Sequence, residues 1–305
     1  MIIKYNAAGE VEWATGIGGT SDDKIKLVSE TSDGGYIVGG YFESSSIDLG
    51  NGVTLSTKGK FDGMVIKYGS SGEVEWAKGI GGTEYDQIYS VAETTDGGYI
   101  VGGYFSNSSI DLENGISLTN KGDSDGMIIK YGSSGEVEWA TGIGGTNSDY
   151  ISSVAECRDG GYIVGGYFTS STIDLGNGVT LSTKGKSDGM VIKLEKAELP
   201  NPTVVQAKGI GGTSYDYINS VSETSDGGYI VGGYFKSTSI DFGNGISLAN
   251  AKSGSSDGMV IKYGSSGEVE WAKRIGGTND DEISSVSETS DGGYIVGGYF
   301  KSTSI

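Results

Sequence analysis

The chain has 305 residues, with 56 glycines, 2 prolines, a single cysteine and no histidine. Its 21 basic and 40 acidic residues give a net charge of −19, which repels phosphate backbones and argues against nucleic acid as a partner. No apolar run reaches the length of about 18 residues that a membrane helix needs, so we expect no membrane insertion. The first residues lack the pattern of a signal peptide. The absence of histidine removes the commonest general base and the commonest transition-metal ligand.

The first predicted elements are two strands, Ile2–Tyr5 and Glu10–Ile17, and they belong to a unit that recurs through the chain. The segment DGGYIVGGYF begins at Asp33, Asp96, Asp159, Asp226 and Asp291. The segment M-[IV]-I-K begins at Met1, Met64, Met127, Met190 and Met259, which are 63, 63, 63 and 69 residues apart. A constant period of this length is typical of repeat architectures.

A complete unit contains four predicted strands, a to d, because its apolar runs are short and each ends at glycine, serine or asparagine. In the second complete unit these strands are Ile88–Thr94, Tyr99–Phe105, Met127–Tyr131 and Glu136–Ile143. The turns between a and b and between c and d are tight, which predicts antiparallel pairing. Strand b has large side chains on both faces, so both faces should be covered by neighbouring sheets. The last predicted strands, Ile283–Thr289 and Tyr294–Phe300, are an a and a b.

Four-stranded antiparallel units repeated radially are typical of a β-propeller, so we predict an all-β fold with five blades. The chain begins with strands c and d and ends with strands a and b, and pairing these fragments would remove two open sheet edges. We therefore predict one domain over residues 1–305, in which residues 1–17 complete the blade formed by residues 276–305. The alternative is a slice of a larger array.

The motif order SV-x-E-T-x-DGGYIVGGY, DGMVIKY and GEVEWA-x-GIGGT-x-x-D resembles the bacterial SBBP-type β-propeller repeats over essentially the whole chain. The resemblance implies placement in a secreted or cell-surface protein, and it carries no common catalytic residues. The chain departs from a plain repeat in its longer b–c insertion, SIDLGNGVTLS. It also departs in the fourth unit, where Leu194–Gln206 contains both prolines, Pro200 and Pro202.

Two loops on one face of the predicted propeller carry repeated aspartates. The d–a loop, GGT-x-x-D, contributes Asp23, Asp86, Asp149, Asp216 and Asp281. The b–c loop, IDLGNG or a near copy, contributes Asp48, Asp111, Asp174 and Asp241. Carboxylates bind hard cations such as calcium and accept hydrogen bonds from sugar hydroxyls, so these are the candidate ligand-binding residues. The alternative is that each aspartate caps its own loop in an Asx-turn.

Two other repeated side chains allow more than one interpretation. A glutamate ends strand a in every unit, and these glutamates either form a cation-binding ring or are solvated or paired with lysines: Glu30, Glu93, Glu156, Glu223 and Glu288. A tryptophan lies in strand d of four units, with Gln206 in the other: Trp13, Trp76, Trp139 and Trp271. Its position in phase with apolar neighbours favours packing between blades over ligand stacking.

These features favour a non-enzymatic, multivalent binding or display scaffold, because near-identical units create near-identical loop clusters whose weak sites gain strength by avidity. The expected partner is a carbohydrate or a protein at the cell surface, and the chain is expected to be a monomer. No cofactor is expected, with calcium as the candidate if a cation binds. The alternative function is a purely structural spacer of a larger surface protein, with no ligand of its own.

Overall fold

The structure, a computed structural model, describes residues 1–196 and 201–304. Within these residues the chain forms 28 β-strands and no helix. Four sheets have four strands and six have two. We call each four-stranded sheet a blade. The predicted all-β architecture of repeated four-stranded antiparallel sheets is therefore confirmed.

The strands follow one another in the same order in each repeat. The N-terminal pair is β1 (Ile2–Tyr5) and β2 (Val11–Thr15). Blade 1 and its hairpin comprise β3 (Asp23–Glu30), β4 (Tyr36–Phe42), β5 (Ser46–Asp48), β6 (Thr54–Ser56), β7 (Asp62–Tyr68) and β8 (Val74–Ile80). Blade 2 and its hairpin comprise β9 (Asp86–Glu93), β10 (Tyr99–Phe105), β11 (Ser109–Asp111), β12 (Ser117–Thr119), β13 (Asp125–Tyr131) and β14 (Val137–Ile143).

The second half of the chain repeats this order. Blade 3 and its hairpin comprise β15 (Asp149–Glu156), β16 (Tyr162–Phe168), β17 (Thr172–Asp174), β18 (Thr180–Ser182), β19 (Asp188–Glu195) and β20 (Thr203–Ile210). Blade 4 and its hairpin comprise β21 (Asp216–Glu223), β22 (Tyr229–Phe235), β23 (Ser239–Gly243), β24 (Ile246–Ala249), β25 (Asp257–Tyr263) and β26 (Val269–Ile275). The C-terminal pair is β27 (Asp281–Glu288) and β28 (Tyr294–Phe300).

The chain divides into two compact units. One is formed by Met1–Asn120 and Gly126–Gly142, and the other by the remaining described residues. The first unit contains the N-terminal pair, blade 1 and most of blade 2. The second contains blade 3, blade 4 and the C-terminal pair.

Strand b forms the centre of each blade's core, as its two-sided apolar pattern predicts. In β4, Ile37 and Val38 are neighbours that point to opposite faces, and both are fully buried. The glycine pair of strand b lets side chains of the next blade approach the backbone of strand b closely. A Cβ added to Gly39 would lie 3.0 Å from Cγ2 of Ile88 in β9. The predicted close approach at the glycine pair is therefore confirmed.

The b–c insertion is a short hairpin in every complete repeat, whereas the sequence predicted only a loop. In blade 1, Ser46 to Asp48 pair with Thr54 to Ser56. The tip contains Asn51 at a φ of 51°, between two glycines that also have positive φ. An Asn-Gly tip of this kind is a hairpin signal. Six of the eight hairpin strands have only three residues, which is too short to show an alternating pattern.

The two terminal pairs are separate two-stranded sheets. The predicted fifth blade, made from residues 1–17 and 276–305, is not among the sheets of the described residues. The surface of β28 shows the consequence, because Ile295 is 63% exposed and Phe300 is 59% exposed, whereas the equivalent Ile37 and Phe42 are fully buried. A strand b without a strand c beside it keeps an open edge.

The departure that the sequence shows in its fourth unit, Leu194–Gln206, falls in the c–d connection of blade 3 and lies partly outside the described residues. Strand β19 continues to Glu195 and β20 begins at Thr203, so both strands of the blade 3 connection are one residue longer than β7 and β8. Pro200 is outside the described residues, and Pro202 lies immediately before β20.

Candidate functional site

The d–a aspartates are internal hydrogen-bond acceptors. The carboxylate of Asp149 accepts bonds from the backbone amides of Gly145 at 2.8 Å, Thr169 at 3.0 Å and Ser170 at 3.2 Å, and from the Ser170 hydroxyl at 2.6 Å. Similar sets surround Asp23, Asp86, Asp216 and Asp281. Four of the five are buried: Asp86, Asp149, Asp216 and Asp281. Each carboxylate therefore ties its own d–a loop to the start of its own b–c loop.

This geometry brings together the two loops that the sequence placed on one face. It gives the d–a carboxylates the loop-capping role that was the alternative interpretation, and it adds a feature that the sequence did not show. Most of the donors lie about twenty residues further along the chain, as Ser106 does from Asp86. The sequence signal for these donors is a serine or asparagine two positions after strand b.

The b–c aspartates are exposed, in contrast to the d–a set. Oδ1 of Asp48 accepts the backbone amide of Gly50 at 2.9 Å, and Oδ1 of Asp174 accepts that of Gly176 at 2.9 Å. Asp111 and Asp241 make the same Asx-turn contact. All four hairpins therefore hold an exposed carboxylate in the same orientation relative to the turn.

The strand-a glutamates connect neighbouring blades. Glu93 in β9 accepts two hydrogen bonds from Ser32 in the a–b turn of blade 1, and Glu288 accepts two from Ser225 in blade 4. Glu223 accepts the backbone amide of Arg158 at 2.9 Å. These glutamates therefore act as clamps between blades, which neither sequence interpretation included.

The strand-d tryptophans pack between blades, as the sequence favoured. Nε1 of Trp76 donates to the carbonyl of Ser133 in the next c–d turn at 3.1 Å, and the ring lies against Gly135. Trp13 makes the same contact with the carbonyl of Ser70 at 3.2 Å. Gln206, which replaces tryptophan in blade 3, also donates from Nε2 to a carbonyl, that of Ser266, at 3.0 Å.

A second buried aspartate lies at the start of each strand c, and the sequence analysis did not single it out. These residues are Asp62, Asp125, Asp188 and Asp257, all with 0% exposure. Oδ2 accepts a backbone amide in each case, as Asp62 does from Lys58 at 2.9 Å. Burial raises the pKa of Asp62 and of Asp188, and that of Asp125 to about 6. The sequence signal was the repeated aspartate of the DGM motif.

One b–c hairpin borders a cavity. The cavity has a volume of about 400 Å³ and lies between strand d of blade 3 and the hairpin of blade 4. Its lining includes Lys184, Lys208, Asp241, Phe242 and Glu268. It therefore combines charged groups of both signs with an aromatic side chain, around one of the predicted site aspartates.

The equivalent place between strand d of blade 1 and the hairpin of blade 2 is filled differently. There Lys78, the equivalent of Lys208, pairs with Glu113 at 2.8 Å. In the blade 4 hairpin, glycine (Gly243) replaces that glutamate and Phe242 replaces Leu112. The cavity thus lies beside a hairpin with Phe242 at a position where the hairpins of blades 1 to 3 have leucine.

No group of three or more His, Cys, Asp or Glu side chains within the described ranges is arranged to hold a metal ion. Residues 1–196 and 201–304 also include no helix that could cross a membrane. By fold, the chain belongs to the all-β proteins built from repeated four-stranded antiparallel sheets.

The sequence matches no family model. It is 23% identical over 301 residues to the regulatory protein FlaEY of Caulobacter vibrioides, covering 91% of this chain and 29% of that protein. It is 27% identical over 140 residues to an uncharacterized WD repeat-containing protein, L264, of Acanthamoeba polyphaga mimivirus, covering 43% of this chain and 10% of that protein. The chain thus spans less than a third of the length of each of these relatives.

Two solved structures are similar to this chain at low scores. The periplasmic gluconolactonase PpgL of Pseudomonas aeruginosa has a TM-score of 0.40 and 12% identity, over 96% of this chain and 83% of that one. A protein of unknown function from Bacteroides caccae has a TM-score of 0.32 and 12% identity, over 88% and 86% of the two chains.

Proposed function

We propose that this protein is a non-enzymatic scaffold that presents its b–c hairpins to a carbohydrate or protein partner outside the cell. The observation that carries the proposal is the repetition of one exposed Asx-turn. Asp48, Asp111, Asp174 and Asp241 each keep Oδ1 on the amide two residues on, and their side chains face solvent. Four equivalent carboxylates on short, hydrogen-bonded hairpins are suited to contact a repetitive ligand at several points.

The cavity beside Asp241 supports a carbohydrate as the ligand. Its volume of about 400 Å³ falls within the usual range for small-ligand sites, which is roughly 300–1,000 Å³. Phe242 offers an apolar surface for a sugar ring, and the lysines and carboxylates offer donors and acceptors for its hydroxyl groups. We propose this cavity as the strongest of the hairpin sites.

Glycan-array binding of the fluorescently labelled chain tests the proposal. We expect binding to a polymeric glycan that weakens about tenfold or more when Asp48, Asp111, Asp174 and Asp241 are all changed to asparagine, because avidity falls when every site is weakened. The single variant Asp241→Asn should lose more than the single variant Asp48→Asn. Asparagine retains the Asx-turn acceptor, so the fold is preserved.

The alternative function, a structural spacer with no ligand, predicts a different outcome. The chain would bind no glycan on the array, and the quadruple variant would behave as the parent in every binding assay. A result in which the quadruple variant binds a glycan as strongly as the parent would contradict the role of the hairpins.

We also propose that the blades close into a five-bladed ring in which β28 pairs with β1. The support is the repeat itself, since Val38 pairs with Ile66 in blade 1 and the equivalent residues are Val296 and Ile3. The exposed apolar side chains of β28 would then be covered. The closed ring would be a monomer.

A cysteine pair tests this closure. In a chain whose only cysteine, Cys157, is changed to threonine, the substitutions Ile3→Cys and Val296→Cys should give an intramolecular disulfide on mild oxidation. A disulfide-linked dimer would show that a second copy covers β28 instead. Failure to form either product would contradict the pairing.

A further inference from the structure

Each junction between a blade and the sheet that follows it in the chain buries two aspartates, one from the DGM motif and one from the d–a loop. Between blades 1 and 2 these are Asp62 and Asp86, and both have 0% exposure. The other junctions contain Asp125 with Asp149, Asp188 with Asp216, and Asp257 with Asp281. The d–a member of each pair is fully hydrogen-bonded, as described above.

The DGM member is not fully hydrogen-bonded. Oδ1 of Asp62 is buried and has no hydrogen-bond partner among the described residues, and the same is true of Oδ1 in Asp125, Asp188 and Asp257. A buried carboxylate oxygen without a donor or a cation is strongly unfavourable. The same atom is in this state at all four junctions.

These oxygens converge on the neighbouring carboxylate. A Cβ added to Gly81 would lie 2.7 Å from Oδ1 of Asp62 and 2.6 Å from Oδ2 of Asp86. At the last junction a Cβ on Gly276 would lie 2.6 Å from Oδ1 of Asp257 and 3.0 Å from Oδ2 of Asp281. Two carboxylate oxygens therefore face the same point beside a glycine, and a cation bound there would stabilise both of them.

Blade 4 supplies such a charge from its own sequence. Arg274 donates from Nη1 to Oδ2 of Asp257 at 3.0 Å and to the carbonyl of Gly276 at 2.9 Å, and Oδ1 of Asp257 keeps no hydrogen-bond partner among the described residues. The equivalent residues of blades 1 to 3 are Gly79, Gly142 and Gly209, which have no side chain. The Asp62 carboxylate and the carbonyl of Gly81 correspond to the two acceptors that hold the Arg274 guanidinium.

We propose that the junctions following blades 1, 2 and 3 each bind a calcium ion, at the place that the Arg274 guanidinium occupies beside blade 4. The ligands would be the DGM aspartate and the carbonyl of the first glycine of the GGT motif, with the facing d–a carboxylate providing further negative charge. All of these are oxygen ligands, which calcium prefers, and water can complete its coordination. The Arg274 side chain is 35% exposed, so this place is reached from the surface.

These sites differ from the exposed hairpin aspartates and are independent of the proposed scaffold function. They require only two carboxylates each, because carbonyl oxygens and water supply the remaining positions. In blade 4 the guanidinium of Arg274 takes the place of the ion, beside the same buried aspartate pair.

Calcium titration of the full chain, after treatment with a chelator, tests the proposal by isothermal calorimetry and by counting bound ions with native mass spectrometry. We expect three calcium ions per chain. The variant Gly79→Arg should bind two, because a guanidinium then occupies the first site, and a Cβ at Gly79 would be only in ordinary contact with Cζ of Phe42 at 3.5 Å. The variant Arg274→Gly should bind four.

The two variants change the ion count in opposite directions, so a general loss of stability cannot imitate the expected result. Circular dichroism confirms that each variant is folded, and Asp62→Asn provides a second way to remove one site. Absence of calcium binding at about 10 mM, above the affinity range of weak extracellular sites, would overturn the proposal. An ion count that does not change in Gly79→Arg and Arg274→Gly would also overturn it, as would a count that falls when the four hairpin aspartates are changed.

Discussion

Glu93 and Ser32 form a two-point clamp between adjacent blades. Oε2 of Glu93 accepts the backbone amide of Ser32 at 2.7 Å, and Oε1 accepts its hydroxyl at 2.7 Å. The two residues are 61 positions apart, so this contact fixes the end of β9 to the a–b turn of the preceding blade. Glu288 holds Ser225 in the same way.

Removing this clamp should weaken the contact between blades 1 and 2. We expect Glu93→Ala to lower the free energy of unfolding by about 1–2 kcal/mol, because it deletes two hydrogen bonds to a charged acceptor. Urea denaturation measures the change. Adding Ser32→Ala to Glu93→Ala should cost little more, since the partner is already lost. Full additivity of the two substitutions would contradict the clamp.

Glu30 of blade 1 is equivalent to Glu93, and its substitution tests whether the proposed ring closes. Its clamp partner in a closed ring would be Ser290, the equivalent of Ser32. If the ring closes, Glu30→Ala should destabilise the protein as much as Glu93→Ala does. A change within about 0.5 kcal/mol, typical of an exposed surface position, would contradict closure.

A matched pair of glycines separates the cost of backbone conformation from the cost of blade packing. Gly97 and Gly135 have φ values of 81° and 83°, but a Cβ on Gly97 would meet nothing within 4 Å, whereas one on Gly135 would lie 2.8 Å from Cδ2 of Trp76. We expect Gly97→Ala to cost about 1 kcal/mol, from the left-handed conformation alone. Gly135→Ala should cost at least about 1 kcal/mol more by thermal unfolding, and equal costs would show that Trp76 does not constrain this turn.

The d–a carboxylates should not tolerate asparagine. The two oxygens of Asp149 accept four hydrogen bonds, and an asparagine amide nitrogen would place a donor against other donors. We expect Asp149→Asn to lower the free energy of unfolding by about 2–4 kcal/mol. Asp174→Asn, in an exposed Asx-turn, is the control and should change it by less than about 0.5 kcal/mol. Equal tolerance at the two positions would contradict the internal role of Asp149.

The pairing of Asp33 with buried Lys67 predicts a loss of stability in acid. Nζ of Lys67 donates to Oδ2 of Asp33 at 2.8 Å, and this bond, with those from Thr31 and Gly35, holds the pKa of Asp33 well below its usual range. A depressed folded-state pKa gives a contribution that is present above the unfolded pKa of about 3.9 and is lost as the pH falls below it.

The pH dependence of unfolding measures this contribution. The difference in stability between the parent and Asp33→Asn should be constant from about pH 7 to pH 5 and should shrink as the pH falls below about 4. Glu75, at 3.3 Å from Lys67, remains as a second partner, so the variant should stay folded at neutral pH. A difference that does not change over this range would contradict the ion pair.

The sequence predicted strand b to the residue because YIVGGYF is apolar on both faces and is bounded by polar turns on both sides. It also predicted the positions of the d–a aspartates, with loop capping as the alternative to ligand binding, but not which donors they accept. That role depends on donors such as Ser170, which lies 21 residues from Asp149 and is brought close only by the pairing of β15 with β16. The buried Asp62 was not predicted because a charged residue at the start of a strand is usually solvated.

The identity of the five YIVGGYF strands has a consequence for how the chain reaches its fold. Strand β7 can pair as well with β10 or β16 as with β4, because the residues that it contacts are the same in each. Correct pairing therefore depends on the short length of the connections within a repeat rather than on side-chain recognition. Refolding from denaturant should yield species in which strand b of one repeat pairs with strand c of another, and these should convert slowly to the native fold. Synthesis from the N-terminus exposes one repeat at a time and should avoid them.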